Sequence, residues 1–185
     1  GRIVMMHHTL FPHVTNADKF SSSYVVKLGI QYYDNIYFYE PFAPGRGYAA
    51  NLPTNFTEFR FDDKKDIEDY IALENDTPYM FEKALEFEYD KSEAGFFVSD
   101  ATADEIIGQC DDFTEETEDH FMIQVFDSKI DELDWLTDDE KAAYKEQNKD
   151  AVINSMIPAY ENVKATFEEL KGTGTNDKSL YYYDD

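Results

Sequence analysis

Residues 136–172, LTDDEKAAYKEQNKDAVINSMIPAYENVKATFEELKG, decide the fold class. Thr137 followed three positions later by Glu140 is a capping-box pattern, in which a hydroxyl and a carboxylate each satisfy a backbone N–H that a helix start leaves free. Ile153, Met156, Ile157, Tyr160, Val163, Phe167 and Leu170 recur at three- and four-residue steps, the stripe of one helix face. Gly172 follows the last of them, where a left-handed residue ends a helix. Unbroken, the pattern predicts a helix of about 34 residues, roughly 50 Å at 1.5 Å per residue. Pro158 falls inside it and predicts a kink, because its ring crowds the preceding turn and it has no N–H to give.

Upstream, the same periodicity repeats. FDDKKDIEDYIALEND sets Ile67, Tyr70, Ile71 and Leu73 behind an acidic first turn, and the helix is expected to stop before Pro78. Pro78 then reads as the first turn of a second helix carrying Phe81, Ala84, Leu85 and Tyr89. After a break at Gly95, Ser99 or Asp100 is the expected N-cap of a helix with Ile106, Ile107, Cys110 and Phe113. Thr114 and the acids after it read as the start of the next, striped by Phe121, Val125, Phe126, Ile130 and Leu133. The first 61 residues differ. Tyr32, Tyr33, Ile36, Tyr37 and Tyr39 fit a short helix or a strand equally well, and Pro41, Pro44, Gly45, Gly47 and Pro53 mark an ordered loop. The expectation is all-α: a helical array with a long kinked C-terminal helix and an irregular aromatic-rich N-terminal segment.

Composition supports a packed unit. Of 185 residues, 42% are hydrophobic and 16% aromatic, enough to fill a core. Forty acidic against sixteen basic residues give a formal charge of −24, which repels a phosphate backbone, so nucleic acid is not expected as a partner. No apolar run approaches the roughly 20 residues of a membrane-spanning helix. The opening GRIVMMHH shows no export signal, having neither a long apolar stretch nor a cleavage site. Cys110, the single cysteine, is read as a small buried residue beside acids that disfavour a thiolate.

Chemistry-bearing patterns are sparse. His7 and His8 are adjacent, so their rings diverge, and His13 lies beyond Pro12; with no further ligand at suitable spacing, no zinc site is assigned. His120 reads as a helix-surface histidine paired with nearby carboxylates rather than as a ligand or proton carrier. Asp62-Asp63, Asp111-Asp112 with Glu115-Glu116, and Asp138-Asp139 are read as helix-start acids, since no calcium-loop pattern is present. The GTGTN at 172–176 follows a helix instead of preceding one and is no phosphate loop. There is no catalytic serine elbow. No residue is assigned a catalytic or metal-ligating role. One stretch stays open. PFAPGRGYAANLP holds Pro44, Gly45, Arg46, Gly47, Tyr48 and Asn51 in a rigid loop. Arg46 either lines a substrate cleft or pairs with nearby acids in a structural turn.

YFYEPFAPGRGYAANLP, KKDIEDYIALENDTPYMFEKALEFEYDKSEAGFFVSDATADEIIGQC and MIPAYENVKATFEELKGTGTNDKSLYYYDD resemble the N-terminal half of the bacterial family known as domain of unknown function 885. The resemblance runs from about Tyr32 to Asp185. It implies large, mostly helical, zinc-metallopeptidase-like proteins, many of them exported lipoproteins, hence an extracellular or cell-envelope location. It also implies that the zinc motif lies in a C-terminal catalytic half that follows KGTGTNDKSLYYYDD and is missing here, so no family ligand or base can be placed on these residues. The expectation is therefore one unit, 1–185, forming the N-terminal portion of a larger protein. It comprises an aromatic segment (1–61), helices (62–172) and the start of a truncated connection (173–185). It is expected to be inactive alone, to carry no cofactor, and to have the catalytic half and a peptide substrate as partners. The rival expectation is a self-contained helical module of the envelope that binds a peptide or protein. Between His13 and Tyr32 the family pattern implies a longer helical stretch than is found.

Overall fold

In the structure, a computed structural model, residues 36–175 are described. They are helical, with no strand among them. A 3-10 turn at Ile36–Phe38 leads through the Pro/Gly loop to α1 (Tyr48–Glu58). Then come α2 (Lys64–Glu93), α3 (Asp100–Thr114), α4 (Phe121–Asp131), α5 (Asp138–Ala151), a π turn (Val152–Met156) and α6 (Ile157–Leu170). Tyr32, Tyr33 and the three histidines near the start lie outside the described residues, as does the stretch from His13 to Tyr32.

The long C-terminal helix runs as α5, π turn and α6, segments of 14, 5 and 14 residues with no loop between them. The capping box is present, Thr137 Oγ1 accepting the Glu140 N–H and the Glu140 carboxylate accepting that of Thr137. Pro158 is accommodated rather than broken upon: the turn ahead of it widens, and Ile157 N–H reaches back to Val152 O, five residues away. Gly172, at φ +86°, ends the helix as expected and donates its N–H to Asp100 Oδ1 at 2.9 Å.

Three expectations about boundaries fail. Pro53 does not mark a loop: α1 starts at Tyr48 and runs through Pro53 to Glu58, so of the expected loop only the residues up to Gly47 are irregular. Pro78 does not divide two helices; α2 is one helix of 30 residues that passes through it. Ile67, Tyr70 and Ile71 before the proline, and Met80, Phe81, Ala84 and Leu85 after it, are buried on a common face. Each large apolar side chain buried gains about 1.5–3 kcal/mol. Together they outweigh the ~3 kcal/mol that an interior proline costs. Thr114 likewise does not start a helix. It closes α3, its hydroxyl donating to Cys110 O at 3.0 Å, and α4 begins only after His120.

Capping explains most of the other ends. Asp63 and Asp66 form a reciprocal box at the start of α2. At its end Phe96 N–H bonds Lys91 O and Gly95 N–H bonds Ser92 O, a Schellman pair that needs Gly95 at φ +79°. Ser99, not Asp100, caps α3.

The core is aromatic. α2 packs against α5, the π turn and α6, while α6 also covers α3; α4 lies on α5 and α1 on α4. Phe42 meets Phe81 edge-on at 5.5 Å, Phe81 meets Tyr160 at 5.1 Å, and Tyr160 stacks on Phe113 at 3.7 Å. A second cluster joins Phe56, Phe61 and Phe126 around Tyr70. Residues 173–175 run beside the α2–α3 connection, where Thr173 accepts from Ser92 and Thr175 donates to Gly95 O.

Candidate functional site

The loop that the sequence leaves open is tightly folded. Gly47 N–H bonds Ala43 O and Tyr48 N–H bonds Pro41 O, both at 2.7 Å, and the Asn51 amide donates to Arg46 O at 2.7 Å. Gly45 takes φ +70°. A Cβ on Gly47 would lie 2.4 Å from the Phe42 carbonyl carbon, so only glycine lets the loop close. Pro44 and Tyr48 are half-buried, Gly47 is buried, and Gly45, Arg46 and Asn51 are exposed.

Arg46 side-chain exposure is 78%, and its guanidinium meets Glu40 loosely at 3.4 Å. Beside it, Tyr39 and Tyr48 share a hydroxyl hydrogen bond of 3.0 Å. Burial, followed by the neighbouring Tyr39, raises the Tyr48 pKa, so this phenol stays protonated. Tyr39 also packs against Phe87 of α2.

Next to the loop, α2 buries an ion pair: Lys91 Nζ lies 3.0 Å from Glu88 Oε2, with each side chain 1% exposed. Beyond that contact neither atom has a hydrogen-bond partner among the described residues. Burial raises the Glu88 pKa; Lys91 opposes the shift, and Glu40 of the loop adds to it. Sequence reasoning did not single out this pair. Its signal was present, since Phe81, Ala84, Glu88 and Lys91 continue one stripe at steps of three and four residues.

Cys110 and His120 are both held in the core. Burial raises the Cys110 thiol to about 12 and leaves it neutral. His120 is not a surface histidine: it is 1% exposed and caps α4, with both ring nitrogens engaged. Among the described residues no group of three or more His, Cys, Asp or Glu side chains is placed to hold a metal. Chemically, the Arg46 loop offers an exposed cation, two phenols and an amide: groups that bind, without a nucleophile.

No curated protein shows significant similarity to the chain. The crystal structure of "the putative lipoprotein from Colwellia psychrerythraea" superposes with a TM-score of 0.67 at 23% identity, over 70% of this chain and 22% of that one. At that identity the likeness is one of fold, and the match spans just under a quarter of the longer protein. The sequence profile of the bacterial proteins of unknown function DUF885 matches residues 10–184, nearly the whole chain, and the protein is a member of that family.

Proposed function

We propose that the chain is the non-catalytic N-terminal helical region of an exported, zinc-dependent-peptidase-like protein of the bacterial envelope. In this reading the loop at 44–47 and the first turn of α1 after it, through Tyr48 and Asn51, help to build one wall of a peptide cleft. The observation that carries it is the extent of the structural match. In "the putative lipoprotein from Colwellia psychrerythraea", the matching part makes up 22% of the chain, one part of a far longer molecule. The loop suits a wall: its backbone is held by its own hydrogen bonds, and Arg46, exposed and held only by a 3.4 Å contact to Glu40, can turn to a peptide carboxylate or carbonyl. Zinc belongs, in this reading, to the remainder of the longer protein. The described residues present no ligand set for it.

The experiment compares the 185-residue chain with the full-length gene product in a peptidase assay with added zinc and in a metal-to-protein ratio. The expected result is hydrolysis and bound zinc in the full-length protein and neither in the chain alone. Turnover by the chain alone overturns the reading. The cleft is tested separately by Arg46→Ala in the full-length protein, which should raise KM several-fold and leave kcat and Tm unchanged. A self-contained peptide-binding module is the second reading, favoured by Tyr39, Tyr79, Tyr89, Phe121 and Trp135, each at least 38% exposed. Saturable peptide binding by the chain alone, seen as a change in Trp135 fluorescence, would put it first.

A further inference from the structure

We propose that His120 is a pH-sensitive pin between α3 and α4, holding the start of α4 to the end of α3 only while its imidazole is neutral. The geometry leaves one protonation state. Nε2 lies 2.8 Å from Phe113 O, a carbonyl that can only accept, so Nε2 carries the hydrogen. Nδ1 lies 3.2 Å from the Met122 backbone nitrogen, which can only donate, so Nδ1 must keep its lone pair. A single neutral tautomer therefore satisfies the last turn of α3 and the first turn of α4 together.

Protonation at Nδ1 sets one N–H against another and places a cation at a helix N-terminus, the end whose dipole favours anions. The ring is buried between aromatic neighbours. It sits between Phe113 at 4.6 Å and Phe121 at 4.8 Å, and Phe113 is itself pressed against Tyr160 of α6. Burial lowers the His120 pKa, with the Phe113 carbonyl and then Glu116 opposing.

The charges around the pin are accounted for. Glu116, in the α3–α4 connection, is the acid that faces it. Glu118 of the same connection pairs with Lys149 of α5, and Asp111 of α3 pairs with Lys164 of α6. On α4 itself, Asp127 feels Lys145 and Lys149, and Lys129 is bound to the carbonyls that end α1. Phe113 and Tyr160 present no charge of their own. Acidification thus breaks the bond pair at His120 and frees the first turn of α4, exposing Met122 and Phe113. The inference stands whether the chain is a cleft wall or a binding module.

The linkage has a definite sign. A histidine whose folded pKa is depressed contributes stability that is fully present above the unfolded value of 6.5 and is lost as pH falls through the folded pKa. The test follows the Met122 amide and the His120 ring by NMR from pH 7.5 to 4.5. Urea unfolding of wild type and His120→Asn is measured at pH 7 and 5. Asparagine can cap the helix without titrating. The expected result is that the Met122 amide shifts in step with the ring, with a midpoint below 6.5. Between the two pH values the wild-type unfolding constant should rise more than that of the variant, by up to about tenfold per pH unit of the window crossed. A Met122 amide that stays still while the ring titrates overturns the proposal, as do equal losses in the two proteins. Should the variant not fold, the NMR titration decides alone.

Discussion

Pro53 lies in the second turn of α1, where it has no N–H to give to the carbonyl of Ala49 four residues earlier. That carbonyl accepts instead from the Tyr160 hydroxyl at 2.9 Å, a bond spanning 111 positions of sequence between α1 and α6. Tyr160 is fully buried, so its hydroxyl and the Ala49 carbonyl are each other's alternative to water. Tyr160→Phe should therefore cost about 1–3 kcal/mol, the penalty for an unsatisfied buried acceptor. The origin of the cost is separable. Pro53→Ala restores a backbone donor for Ala49, and in that background Tyr160→Phe should cost less than about 0.5 kcal/mol. A double-mutant cycle by urea denaturation checks it. Equal costs in both backgrounds would mean that the hydroxyl matters for some other reason.

At the scale of elements, the α2–α5 contact hides a carboxylic acid. Glu74 is fully buried, and the Asn148 amide faces its two oxygens at 3.1 and 3.0 Å. Burial raises its pKa to about 9, with a hydrogen bond from Tyr70 opposing. At neutral pH the folded chain holds Glu74 as a neutral acid whose oxygens face the Asn148 N–H donors. An acid raised in this way contributes stability that is fully present below its unfolded value of 4.5 and is lost as pH climbs toward 9. Glu74→Gln keeps the shape and the hydrogen bonds without the titration. Its stability relative to wild type should increase between pH 5 and 8.5, by up to about 1.4 kcal/mol per pH unit. A difference in unfolding free energy that stays constant across that range would show Glu74 to be ionised in the fold.

What was legible at this scale divides along physical lines. Thr137 with Glu140 and Gly172 act on neighbours within a few residues, so their local pattern is enough, whereas the choice of Ser99 over Asp100 as the α3 cap needed the structure. Pro78 and Pro158 are different, because whether a proline breaks a helix depends on the area buried on either side of it. Their outcomes, an unbroken α2 and a π turn, come from packing. The start of α4 was misplaced because the acids from Glu115 to Asp119 look like a first helical turn. Only the reach from His120 to Phe113 O shows where that turn begins. Around Arg46 the loop's residues were visible from its prolines and glycines. Its neighbours Tyr39, Glu88 and Lys91 were not, since they come together only when the loop lies on α2.

Over the whole molecule, charge is the least balanced term. If every one of the sixteen lysines and arginines were paired, the excess of forty acids would still leave the formal −24 unopposed. The exposed pairs, among them Lys65 with Asp69 and Lys145 with Asp131, are of the kind worth about 0–1 kcal/mol apiece. Salt weakens such pairs and the mutual repulsion of the acids alike, and the repulsion is the larger of the two. Sodium chloride should therefore stabilise the chain. Between about 10 mM and 1 M the screening length falls from roughly 30 to 3 Å. Tm should rise over that range by roughly 2–4 °C for each kcal/mol of repulsion removed. Thermal melts in sodium chloride, with sucrose at matched osmolality as the control for excluded-solute effects, measure this rise. A Tm that fell with salt would mean that the paired cations hold the helices together more strongly than the surplus acids push them apart.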